Sequence, residues 1–137
     1  MICVRGSPDV IPASLCHSVD VGRTVLIVDD HAAFRSAARA ILQAAGFDVV
    51  GEAVDGAAAI AAVNALRPDV VLLDIQLPDV DGFAVARQLP VDGPVIVLTS
   101  SRSASSFRRR LAANPEWSFI PKSDLSAEAL AAAVAAG

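Results

Sequence analysis

The chain has no tyrosine, one tryptophan and only two cysteines among its 137 residues. Cys3 and Cys16 both lie early and make no metal-binding spacing, so neither a disulfide framework nor a cysteine zinc site is expected. Hydrophobic residues make up 54% of the chain, much of that alanine. Even so, no apolar run approaches the ~18 residues that would read as a membrane span. Cationic charge is scarce too: 11 lysines and arginines stand against 15 acids, a net charge of -4. That balance speaks against adhesion to DNA or to an anionic membrane by charge alone. Residues 1–22 contain Pro8, Pro12 and Gly22 but no continuous apolar segment of the signal-peptide kind. They read as a loosely ordered, disordered extension before a single domain at 23–137, with a cytoplasmic, reducing setting as the default.

What the chain does have is acids at the ends of apolar runs. Val25-Leu26-Ile27-Val28 leads into Asp29-Asp30, and Val70-Val71-Leu72-Leu73 leads into Asp74. Val95-Ile96-Val97-Leu98 ends on Thr99, and Phe119-Ile120-Pro121 ends on Lys122. Short apolar runs rich in β-branched residues read as buried parallel strands. In an open parallel sheet, ligands bind outside the carboxyl ends of the strands. The acids, the hydroxyl and the ammonium therefore converge on one edge.

Helical patterns separate the strands. The first begins near Asp30, read as its N-cap, carries Phe34, Ala38, Ile41 and Leu42, and stops at Gly46. A second strand spans Phe47 to Ala53, and Asp55-Gly56 opens an alanine-rich helix closed by Arg67-Pro68. Strand three covers about 69 to 73. After it come a loop with Pro78, Asp79, Asp81 and Gly82 and a short helix through Phe83 and Leu89. A polar loop from Ser100 to Ser106 enters a helix with Phe107, Leu111 and Ala112; Trp117 to Ile120 makes strand five. Ser126 caps a last helix, Ala127 to Ala136. The pattern predicts an α/β fold, a flavodoxin-like (βα)5 three-layer sandwich with parallel sheet order 2-1-3-4-5.

Crowded carboxylates repel one another unless a cation sits among them, and an all-oxygen set suits Mg²⁺. Asp74, on the central strand, is the candidate nucleophile, able to form an acyl phosphate by attack on phosphorus. Lys122 and Thr99 would offset charge on the transferred group and donate a hydrogen bond to it.

Taken together, Asp29-Asp30-His31, the run from Leu73-Asp74 through Gln76, Pro78 and Asp81-Gly82, Thr99-Ser100, Phe119 and Lys122 resemble a response regulator receiver domain. That is the CheY-like module of two-component signalling. Asp29-Asp30-His31 and Gly51-Glu52-Ala53-Val54-Asp55-Gly56 are closest in flavour to receivers of LuxR-type helix-turn-helix regulators. The resemblance implies that Asp74 accepts phosphate from a histidine kinase, a phosphotransfer protein or a small donor. It implies that Asp30, Asp74 and the Gln76 carbonyl bind Mg²⁺ directly, and Asp29 through water. Thr99 and Phe119 would be switch residues, and the last two helices with strand five would be the face that meets a downstream partner or a second copy. The phosphoryl group adds a charge of about -1.5 to -2 that biases a two-state switch. The domain would phosphorylate and dephosphorylate itself without being a metabolic enzyme. The sequence departs from the family where Ser123, not proline, follows Lys122, and across Ser100 to Glu116.

Other readings stand beside this one. Asp30 alone suits a helix cap, Thr99 a strand end, Lys122 a solvated lysine and Phe119 a core aromatic. His31 reads as a surface neighbour of the acids. Arg108-Arg109-Arg110 reads as a solvated or partner-docking face, so direct DNA binding is not expected. The chain could instead be the receiver half of a DNA-binding transcriptional regulator whose output domain is missing or separate. It could also be an aspartyl-nucleophile phosphatase, although Gln76 stands where such enzymes usually carry a second acid, or a scaffold that needs no phosphorylation.

Overall fold

β-Branched residues dominate the central strands because each strand is covered on both faces. The computed structural model describes residues 22–136; the expectations for the N-terminal extension, Cys3 and Cys16 lie outside them, Gly22 apart. The chain alternates β1 (Thr24–Val28), α1 (Ala32–Ala44), β2 (Asp48–Ala53), α2 (Gly56–Leu66), β3 (Val70–Asp74) and α3 (Gly82–Gln88). Next come β4 (Val95–Ser100), a 3-10 turn (Ala104–Phe107), α4 (Arg108–Ala113), β5 (Ser118–Pro121), a 3-10 turn (Lys122–Asp124) and α5 (Ala127–Ala136). The five strands are parallel in the order β2-β1-β3-β4-β5, as predicted.

Alternate residues of each strand face opposite layers. Leu26, Val28, Val71, Leu73, Ile96 and Leu98 pack with Ala59, Val63, Phe83 and Phe107 on one side. Val25, Ile27, Val70, Leu72 and Val97 pack with Ala38, Leu42, Leu130 and Val134 on the other, under α1 and α5. Helices cover both faces of the sheet, and the functional side chains gather at the carboxyl ends of the strands.

Several boundaries differ from the expectation. The cap of α1 is His31, not Asp30, because Asp29 Oδ1 accepts the His31 backbone N–H at 2.8 Å and the helix starts at Ala32. Phe47 lies before β2: its N–H bonds the Leu42 carbonyl while Gly46, at φ 96°, donates to Gln43. That left-handed glycine closes α1 in a Schellman turn. Phe107 belongs to the 3-10 turn ahead of α4, and β5 runs Ser118–Pro121 rather than from Trp117. Pro121 is tolerated because β5 is an edge strand and needs no donor on its outer side. Ser126 caps α5 as expected, accepting from Ala129 at 3.0 Å, and Asp55, where α2 was expected to open, accepts from Ala58 at 2.8 Å.

Candidate functional site

Strand ends set the positions of the acids. Asp29 lies one step past the Val28–Leu73 pair of β1 and β3, and Asp74 is paired with Thr99 across β3 and β4. Asp29, Asp74 and Thr99 are buried, whereas Asp30 is exposed. Lys122, the first residue beyond β5, reaches across: its Nζ is 2.5 Å from Asp29 Oδ2 and 3.6 Å from Asp74 Oδ2. The ammonium also sits 4.6 Å from the centre of the Phe34 ring of α1, a placement that favours a cation over the ring face.

Asp74 itself is buried, and its protonation responds. Burial pushes its carboxyl up to about 6; the Gln76 N–H, which donates to Oδ1 at 3.1 Å, pulls it down. The Asp29 charge raises it again, Lys122 lowers it, and Asp30 raises it further. Two polar atoms in this pocket lack hydrogen bonds. Asp29 Oδ2 has the Lys122 ammonium only as an ionic neighbour, and the Thr99 hydroxyl has no partner. A buried hydroxyl without a partner is costly, by about 1–3 kcal/mol.

One ligand atom from each of Asp29, Asp30, His31 and Asp74 lies within 4.8 Å of the others. His31 is exposed as expected, yet its Nδ1 is 3.0 Å from both Asp29 Oδ1 and Asp30 Oδ1, so it is part of the cluster. Three carboxylates with one ammonium between two of them leave negative charge uncompensated, and hard oxygen donors could bind a divalent metal there.

Around the acids, the loop after β3 is held from three sides. Asp79 accepts from the N–H groups of Gly56 and Ala57 at the start of α2, at 2.8 and 3.0 Å. Asp81 caps α3 by accepting from Phe83 at 2.7 Å, and Arg110 of α4 pairs with Asp81 at 2.6 Å. Ser100 is fully buried and donates to Gln76 Oε1 at 3.3 Å while accepting from the Arg102 N–H. Phe119 is half-buried, its ring 5.9 Å from Phe107, which stands 6.3 Å from Phe83. The Asp81–Arg110 and Ser100–Gln76 ties were not foreseen. Such pairs join side chains far apart in sequence, and periodicity carries no signal for them.

These features define a class. The sequence matches the response regulator receiver domain family over residues 25–135. The chain belongs to that family. It is 40% identical over 114 residues to a Pseudomonas aeruginosa protein carrying a provisional transcriptional-regulator name, covering 81% of this chain and 55% of that one. It is 41% identical over 88 residues to protein-glutamate methylesterase/protein-glutamine glutaminase 2 of Anaeromyxobacter dehalogenans, covering 61% of this chain and 26% of that one. The chain thus spans about half the length of the first relative and a quarter of the second. Among solved structures, the signal receiver domain of a Mycobacterium tuberculosis protein named NarL superposes with a TM-score of 0.68 at 31% identity. That match covers 85% of this chain and 95% of that one. The chain is therefore a CheY-like receiver of the two-component type. Among the described residues no helix is long and apolar enough to cross a membrane.

Proposed function

We propose that this receiver is a phospho-acceptor switch in which Asp74 takes a phosphoryl group from a histidine kinase, a phosphotransfer protein or a small donor. The observation that carries the reading is the pairing of Asp74 with Thr99. A buried carboxylate sits beside a buried hydroxyl that has no partner, with Lys122 3.6 Å away. An oxygen of Asp74 attacks phosphorus, forming an acyl phosphate as the bond from phosphorus to the donor's nitrogen or oxygen breaks. Lys122 supplies positive charge to the phosphoryl oxygens, and the Thr99 hydroxyl gains the hydrogen bond it now lacks. Asp30, Asp74 and the Gln76 carbonyl would hold Mg²⁺ directly, with Asp29 acting through water. Bound there, the ion would neutralise charge on the transferring group. Phe119 follows Thr99 inward, and the face built from α4, β5 and α5 controls a downstream partner.

A second reading is favoured by the Pseudomonas relative, whose name is that of a transcriptional regulator and whose length is nearly twice the matched span. On that reading the domain is the receiver half of a DNA-binding regulator. Both readings share the same switch. Beryllofluoride with Mg²⁺, a phosphoryl mimic, tests it: binding should raise the melting temperature of the parent and leave Asp74→Asn unmoved. A parent that does not respond, or an Asp74→Asn that responds equally, contradicts the assignment.

A further inference from the structure

Arg35 stands at the fourth position of α1, and helical side chains lean back toward the N-terminus. Its guanidinium therefore returns to the junction between β1 and α1. Nη1 donates to the Asp29 carbonyl at 2.7 Å, and Nε donates to Glu52 Oε1 of β2 at 2.8 Å. Only 16% of the Arg35 side chain is exposed. Glu52 is held in turn by Arg39, whose Nε meets Oε2 at 2.8 Å. Those two arginines keep the Glu52 carboxyl below the usual carboxylate range against the opposing effect of burial. One planar, five-donor side chain thus ties the turn that bears Asp29 and Asp30 to two neighbouring elements. Arg39 is more exposed and has no bond to that turn among the described residues.

Resting on the proposed Mg²⁺-dependent switch, we infer that Arg35 is a positioning residue for the acid pair: its bonds to the Asp29 carbonyl and to Glu52 hold Asp29 and Asp30 ready for the cation. Charge and position make opposite demands here, which makes the inference testable. A positive side chain near a cation site opposes the cation, so charge alone predicts tighter Mg²⁺ binding when Arg35 is removed. Positioning predicts weaker binding, since groups that orient metal ligands are worth about 10–100-fold in affinity.

The experiment is calorimetric titration of Mg²⁺ into the parent, Arg35→Ala, Arg35→Lys and Arg39→Ala, with thermal melting of each. Arg35→Ala is expected to bind about tenfold more weakly, while Arg39→Ala binds as tightly as the parent or tighter. Arg35→Lys keeps the charge, but its single ammonium lacks the fork that meets both partners, so it should fall between. In the phosphorylation rate, the Arg35 variants should need more Mg²⁺ yet recover most of the parent rate at saturation. If Arg35→Ala does not fold, the comparison of Arg35→Lys with the parent decides by itself. Folded Arg35 variants that bind Mg²⁺ at least as tightly as the parent overturn the inference alone. A parent that binds no Mg²⁺ overturns the proposed function and this inference with it.

Discussion

Asp74 is destabilising as it stands, and the sign of that effect can be worked out. Its carboxyl is pushed up to about 6 by burial, so the folded chain keeps a proton that the unfolded chain has already lost. Between an unfolded value near ~3.9 and about 6 the folded state binds more protons, and stability falls as pH rises through that window. Asp74→Asn, which does not ionise, should be more stable than the parent at neutral pH, by up to about 3 kcal/mol, with the gap closing below about pH 4. Urea titrations at both pH values check this; a gap that widens on acidification contradicts it. Thr99→Val replaces a buried hydroxyl without a partner by a methyl group of similar shape. It should raise unphosphorylated stability by about 1 kcal/mol while weakening retention of the phosphoryl group, read by unfolding and by the decay of the phosphorylated form. Gly82 faces a steric limit: a Cβ there would lie 2.4 Å from the Asp74 carbonyl oxygen and 2.7 Å from Ile75 Cα. Backbone cannot yield as a side-chain tip does, so Gly82→Ala is expected to cost about 1–3 kcal/mol and to slow phosphorylation by displacing Asp74. Melting and rate measured on one sample test both effects.

Among the elements, α4 depends most on its neighbours. Six residues are too few for a helix to persist unaided. Outside bonds hold it: Arg110 pairs with Asp81 and lies 4.0 Å over the Phe83 ring, and Phe107 packs on Phe83 and Phe119. Arg110→Ala should therefore speed amide hydrogen exchange across 108–113 several-fold and leave the central strands β1 and β3 unaffected; uniform acceleration through the sheet would refute it. Dependence on outside bonds also explains why this element was hard to read in the sequence. Ser100 to Ser106 carries no apolar period, and the tie from Ser100 to Gln76 spans 24 residues of sequence. The start of α1 misled for a related reason. Asp30 has the chemistry of an N-cap, but Asp29 takes the His31 N–H first, and Asp30 remains with the acid cluster. By contrast, Asp55 and Ser126 cap through bonds three residues long, and local sequence was enough.

For the whole molecule, the parallel sheet and its order were legible because apolar runs and helical spacing alternate through the chain, and crossover rules leave few topologies. The convergence of Asp29, Asp74, Thr99 and Lys122 followed from that order, since the strands that bear them are neighbours at the carboxyl edge. What holds the site together was not legible: Arg35 to the Asp29 carbonyl, Asp79 to the start of α2, Arg110 to Asp81. Each joins elements through side chains whose directions only the packed structure fixes. In the proposed switch, this fold brings one carboxylate, Asp74, to phosphorus. The most direct test is intact mass after incubation with acetyl phosphate and Mg²⁺, with Asp74→Asn alongside. A single phosphoryl adduct that requires Mg²⁺ and is absent from Asp74→Asn is the expected result. An adduct that persists in Asp74→Asn, or forms equally well without Mg²⁺, would overturn the role proposed for Asp74.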